Sequence, residues 1–151
     1  MGGKTTWLSA GQGDTDGEST ITAKMPFDIN DQDAIEAAFV KFAEETANST
    51  IEKAIVISPV GYRYDIDGTR GSVGVGLVGE NALKGAITIH NHPGKDADSF
   101  SKDDFTGFFD FGTESMEVAY NGKRRRMEWN NIVKKITGDE AYEAYNNAKT
   151  C

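Results

Sequence analysis

Hydrophobic positions in the first half of the chain follow two periods, one typical of a helix and the other of a strand. The helical segment has apolar residues at three- and four-residue spacing: Ile35, Ala38, Phe39, Phe42 and Ala43. With capping side chains at 30–33 before it, this segment predicts an amphipathic helix over 31–48. The β-branched run 51–58 then predicts a buried strand, and the turn 59–61 leads into a second strand, 62–66, that completes a hairpin.

The second half of the chain alternates between the same two periods. Strands are predicted over 85–90, 114–120 and 123–129, the last two joined by a turn at Asn121-Gly122, and a helix is predicted to begin after the N-cap Ser101. The less regular segments predict a short strand at 20–25, a strand or a close backbone approach at 72–78, one helical turn at 80–84 and a terminal helix over 130–148. Interleaved strands and helices predict an α/β or α+β fold, a mixed sheet flanked by helices.

The chain length of 151 residues is enough for one domain with a hydrophobic core. Residues 1–18 are rich in Gly, Ser, Thr and Asp and predict a flexible leader, which leaves 19–151 as a single domain. The lone cysteine, Cys151, has no partner for an internal disulfide. Because no apolar run is long enough to cross a bilayer and no signal-peptide core is visible, we expect a soluble cytoplasmic protein or part of a larger phage or effector protein.

The formal net charge of −8 argues against broad nucleic-acid binding, which requires clustered cations to displace the counterions of the phosphates. One exception is the basic run Lys123–Arg126, directly after the turn at Asn121-Gly122. It is interpreted first as a charged strand that resists pairing at the edge of a sheet, and second as a surface for a specific anionic partner.

The pair His90-Asn91-His92 at the end of strand 85–90 is the strongest indication of chemistry, and it contains the only two histidines of the chain. Alternate residues of a strand point to the same face, so both imidazoles can reach one ion. Asp104, in the first turn of the following helix, can supply a third, anionic ligand. Two nitrogens and one oxygen, with a position left for water, are the usual ligands of a catalytic zinc. We therefore predict a Zn²⁺ site at His90, His92 and Asp104.

Six positions resemble the signature of the JAMM (MPN/JAB) metalloprotease superfamily, which consists of a distant Glu, then H-x-H-P, then S-x-x-D at the start of a helix. The matching residues are Glu52, His90, His92, Pro93, Ser101 and Asp104. The resemblance covers about residues 50–130. The H-N-H-P form is similar to the RadC-type branch and to JAMM-like domains of phage head-morphogenesis and polymorphic-toxin proteins. The resemblance implies a JAMM or cytidine-deaminase-like fold.

The resemblance also implies a role for each residue. Zn²⁺ held by the two histidines and Asp104 would activate water, Glu52 would act as general base and then acid, and Ser101 would stabilise the oxyanion. Glu80 is the rival for the base. Pro93–Phe100 is one residue longer than the commonest spacing of the family, so three other acidic residues remain possible substitutes for Asp104: Asp96, Asp98 and Asp103.

Three functions follow from these observations. The first is a zinc-dependent metallopeptidase or isopeptidase that hydrolyses an amide bond of a protein or peptide. The second is a phage or secretion-system toxin or effector domain on the same fold, acting on nucleic acid or a nucleotide. The third is a metal-stabilised binding module without catalysis.

Overall fold

The structure, a computed structural model, describes residues 19–93, 100–128 and 142–143. The leader predicted for 1–18, most of the loop after Pro93 and most of the terminal helix predicted for 130–148 lie outside these ranges. Of that last segment, Tyr142 and Glu143 are described and are helical.

The described residues form one six-stranded mixed sheet with three helices. Their bounds, in chain order, are β1 Thr20–Pro26, α1 Gln32–Thr46, β2 Lys53–Ser58, β3 Tyr62–Asp67, α2 Glu80–Leu83, β4 Ile87–Asn91, α3 Lys102–Phe111, β5 Ser115–Tyr120 and β6 Lys123–Glu128. The strand order is β1-β3-β2-β4-β5-β6. The pair β4–β5 is parallel and every other pair is antiparallel. The predicted α/β class with a mixed sheet is therefore confirmed.

Most predicted elements are present, and local residues explain their ends. Asp31 caps α1 by accepting a hydrogen bond from the Ala34 N–H, and Gly61, at φ +102°, makes the turn between β2 and β3. The strand interpretation of residues 72–78 is wrong, because Val75–Val78 forms a 3-10 turn. Val73 and Val75 are buried in a core cluster, so their apolar character reflects packing rather than sheet pairing.

The two faces of the sheet are covered by different helices. Helix α1 packs Phe39 and its neighbours against Ile55, Ile57 and Ile89 of the central strands. Helix α3 lies on the other face, where Phe105 and Phe108 join the core that includes the strand residues Ala54, Val56, Met116 and Val118. Because α3 connects the parallel strands β4 and β5, the carboxyl end of β4 leads toward the beginning of α3. Ligand sites of α/β proteins usually lie at such an edge.

Candidate metal centre

The two histidines lie where β4 ends. His90 is paired with Ala54 of β2 and is 1% exposed, so a small residue leaves room beside a buried imidazole. His92 follows the last residue of β4, and its backbone N–H donates a hydrogen bond to Ala119 O, 3.0 Å away, in the neighbouring strand β5. Both rings therefore project from hydrogen-bonded backbone toward the face of the sheet that α3 covers.

Asp104 is held by the cap of α3. The Ser101 hydroxyl accepts a hydrogen bond from the Asp104 N–H at 3.0 Å, while the Ser101 N–H donates to Asp104 Oδ2 at 2.9 Å. This reciprocal capping box fixes the side chain of Asp104 as well as the helix terminus. The partial positive charge of a helix N-terminus also stabilises a carboxylate at this position.

Three side chains converge at this point. His90 Nε2 lies 3.1 Å from His92 Nε2 and 3.0 Å from Asp104 Oδ1, and His92 Nε2 lies 3.1 Å from Asp104 Oδ2. They form a cluster of the kind that can hold a metal ion. With Zn–N and Zn–O bonds of about 2.0–2.1 Å, neighbouring ligand atoms of a tetrahedral zinc are roughly 3.3 Å apart. The spacing of the three residues therefore fits a zinc ion after a small expansion.

The charge and hydrogen bonding of Asp104 also fit a cation. Its carboxyl group is fully buried, and burial alone would raise its pKa, but the imidazoles of His90 and His92 hold the pKa well below its ordinary value. Within the described part of the chain, Asp104 Oδ1 accepts no hydrogen bond of suitable angle in spite of its short distance to His90. The site thus contains a buried carboxylate, one oxygen of which lacks an aligned hydrogen bond from the described residues, beside two imidazole nitrogens that can bind a divalent cation once they are deprotonated.

Glu52 lies just before β2, next to this triangle. The register of β2 and β4 pairs Ala54 with His90. If this register is extended by two residues, Glu52 lies opposite His92, on the face of the sheet that carries both histidines. Burial raises the pKa of Glu52 to about 7, and the nearby imidazoles only partly oppose this effect. Glu52 does not belong to the cluster of possible ligands. A buried carboxyl with a pKa near neutrality, beside the ligands but not among them, suits a proton carrier.

Ser101 can still serve as a hydrogen-bond donor. Its oxygen accepts the cap hydrogen bond from Asp104, and this use of a lone pair leaves the hydroxyl proton available. The residue is exposed, so a substrate oxygen can approach it.

The rival residues lie in less suitable places. Glu80 is exposed and borders a surface cavity with Phe109 and Gly112 near the carboxyl end of α3, whereas Asp104 is in its first turn. A ten-residue helix is about 15 Å long, so Glu80 is remote from the triangle. Asp103 is half-buried and outside the cluster of possible ligands. Asp96 and Asp98 lie outside the described residues.

Two features of the site and its surroundings were not predicted. Asn91, which lies between the two histidines, hydrogen-bonds to the backbone on both sides of Glu52. In the basic run, Arg124 is bound to Glu36 and Glu117, and Arg126 to Glu128. Arg124 and Arg126 are therefore paired within the chain. No local sequence signal indicates either contact, because most of the partners are distant in sequence.

Comparison of the chain with protein-family models, curated proteins and solved structures found no match. Among the residues that the structure describes, no helix is both long and apolar enough to span a bilayer.

Proposed function

We propose that this chain is a zinc-dependent hydrolase of amide bonds, a peptidase or isopeptidase of the JAMM type. The observation that carries the proposal is the convergence of His90 Nε2, His92 Nε2 and the Asp104 carboxylate within 3.0–3.1 Å of one another, beside the buried carboxyl of Glu52. Neither the triangle nor the buried acid alone favours hydrolysis, because each has a structural explanation. Together they provide a metal-binding group and a proton carrier on one face of one sheet.

The residues of the chain divide the chemistry between them. His90, His92 and Asp104 would bind the ion, which when bound lowers the pKa of a coordinated water to about 7 and polarises a carbonyl oxygen. The carboxylate of Glu52 would accept a proton from the attacking water. It would then donate this proton to the nitrogen of the leaving amine, so that the C–N bond breaks with a neutral leaving group. The Ser101 O–H would donate a hydrogen bond to the carbonyl oxygen as negative charge develops there.

The proposal is tested by comparing two glutamates. Purified protein is loaded with one equivalent of Zn²⁺ and incubated with internally quenched peptides, both linear and lysine-branched. Glu52→Gln should retain the zinc and lose roughly 100- to 10,000-fold in kcat, because the proton carrier is gone. Glu80→Gln, the matched control at the other end of α3, should keep the activity of the wild type.

Three results would count against the proposal. Undiminished cleavage by Glu52→Gln would remove Glu52 from the mechanism. Tight zinc binding by the wild type with no cleavage of any peptide would instead favour the binding module without catalysis. Degradation of RNA or DNA that His92→Ala abolishes would favour the effector hypothesis over the peptidase.

A further inference from the structure

We propose that Asn91 is a positioning residue that holds Glu52 in place opposite the metal ligands. This inference rests on the proposed function, since it assigns to Asn91 a role in the proton transfer by Glu52. It concerns the residue between the two histidines, whose side chain lies on the other face of the sheet.

The Asn91 side chain binds the peptide groups on both sides of Glu52. Its Oδ1 accepts a hydrogen bond from the Lys53 N–H at 2.6 Å, and its Nδ2 donates to Ile51 O at 3.0 Å. Asn91 is 1% exposed, so water does not compete freely for these bonds. A carboxamide has an N–H donor and a C=O acceptor like a peptide group. Here its two hydrogen bonds extend the pairing between β4 and the segment before β2.

The opposite edge of the same segment is bound by the loop after β3. The Glu52 N–H donates to Thr69 O at 2.7 Å, and Glu52 O accepts from the Gly68 N–H at 2.8 Å. All four backbone polar groups from Ile51 O to Lys53 N are therefore hydrogen-bonded. Gly68 is required for this arrangement, because a Cβ at that position would overlap Ser72 O. We call this set of four hydrogen bonds the Glu52 bracket.

The bracket matters because Glu52 lies beyond the regular strand. β2 begins at Lys53, and its recorded pairing with β4 ends at Ala54 opposite His90. Without the carboxamide, the Lys53 N–H would lose its partner on the β4 side, and Ile51 O would keep the hydrogen bond that it accepts from the Ser49 hydroxyl. Asn91 thus links Glu52 to the strand that carries His90 and His92. A displacement of about 1 Å between a proton carrier and the reacting atoms can cost roughly 100-fold in rate.

A role in positioning makes a prediction that a role in stability alone does not. If Asn91 acts through Glu52, its removal should slow catalysis only while the carboxylate of Glu52 is present. If it merely stabilises the fold, its removal should have the same effect in both backgrounds. A double-mutant cycle separates the two cases.

The experiment uses the zinc-loaded full chain and the quenched peptides. Asn91→Ala should retain one zinc per chain and lower kcat about 10- to 100-fold with KM within about twofold of the wild type. In the Glu52→Gln background the same substitution should change the residual rate by less than about twofold. Asn91→Thr is a second variant, because threonine favours strands but is too short to reach both peptide groups. Equal losses in the two backgrounds would overturn the proposal.

The matched control is Thr88→Val, on the same strand. Thr88 is buried and its hydroxyl donates to Ser115 O at 3.4 Å, so this substitution also removes a buried side-chain bond to backbone, but one distant from Glu52. It should leave kcat unchanged. A decrease equal to that of Asn91→Ala would show a general effect of damage to β4 and would overturn the assignment.

Amide hydrogen exchange distinguishes failure of this inference from failure of the proposed function. The Lys53 amide should exchange at least about tenfold faster in Asn91→Ala than in the wild type, and at an unchanged rate in Thr88→Val. An unchanged Lys53 rate in Asn91→Ala would overturn the bracket, whatever the activity. A wild type that cleaves no peptide would overturn the proposed function and with it the role of Asn91 in positioning a proton carrier, while a faster Lys53 exchange in Asn91→Ala would still support the bracket.

Discussion

Two polar clusters lie on opposite faces of the same sheet, and they differ in how their hydrogen-bonding groups are matched. On the α1 face, the guanidinium of Arg124 donates two hydrogen bonds to Glu117, at 2.6 and 3.0 Å, and two to Glu36, at 2.7 and 2.9 Å. On the α3 face, His90 and His92 surround the carboxylate of Asp104, one oxygen of which accepts no aligned hydrogen bond from the described residues.

The difference separates a structural cluster from one suited to a ligand. The Arg124 cluster is complete, because a planar donor with five N–H groups is bound by two carboxylates. On the α3 face, one oxygen of Asp104 lacks an aligned hydrogen bond from the described residues, and Glu52 lies beside the cluster with a pKa of about 7. Burial of unmatched polar groups lowers stability, so such a set suggests that a cation belongs to the site.

The largest effect on stability is expected from the completed cluster. Arg124→Met should lower the free energy of unfolding by about 3 kcal/mol, because it leaves Glu117, whose side chain is 7% exposed, without its counter-charge. Arg126→Met is the control, since its partner Glu128 is 58% exposed and the pair should contribute less than about 1 kcal/mol. Urea denaturation measures both. An equal effect of the two variants would show that the Arg124 cluster is not a buried network.

A slightly smaller effect is expected from Glu52 in metal-free protein. The pKa of Glu52 is about 7 in the folded protein against an ordinary 4.5, so the folded state binds the proton more tightly and stability is lost as pH rises from below 4.5 through 7. Glu52→Gln cannot lose this proton. Relative to the wild type, its free energy of unfolding should therefore increase by up to about 3 kcal/mol between pH 4 and pH 8.

The matched control for this pH dependence is Glu80→Gln. Glu80 is exposed, so its substitution makes the same chemical change without altering a buried carboxyl group. Unfolding by urea in the presence of a chelator, repeated across the pH range, measures both variants. If the difference in free energy of unfolding between Glu52→Gln and the wild type does not change with pH, this would contradict the burial of an ionisable group at this position.

The smallest effect on stability is expected at the cap of α3. Ser101→Ala should cost about 1 kcal/mol, as should Asp31→Ala at the cap of α1, because each removes one hydrogen bond to a helix N-terminus. Only Ser101→Ala should also lower kcat on peptides, by at least about tenfold, if its hydroxyl donates to the developing oxyanion as proposed. A similar loss of activity in both variants would assign Ser101 to the fold alone.

Features encoded within a short segment could be predicted from the sequence. The phase of His90 and His92 on a strand and the position of Asp104 three residues after the N-cap Ser101 are local, and the structure brings these residues together. The helix beginning near Asp31 and the hairpin turn were predictable for the same reason.

Features that depend on the pairing of distant segments could not be predicted. Asn91 binds Lys53, which is 38 positions away in the sequence, and Ile51, which is 40 positions away. Arg124 binds Glu36 across a separation of 88 positions. The strand order and register bring these groups together, and no periodicity in a single segment encodes them. The apolar residues of 72–78 were open to a strand interpretation because the need of Val73 and Val75 for burial does not specify a backbone conformation.

The most direct test of the metal centre is elemental analysis of the purified chain after exposure to Zn²⁺ and gel filtration. The wild type and Glu52→Gln should each contain one zinc per chain, while His92→Ala and Asp104→Asn should contain little, because each loses one of three ligands. Arg124→Met should retain the zinc of the wild type. Absence of zinc from the wild type, or full occupancy in His92→Ala, would contradict a metal site at His90, His92 and Asp104.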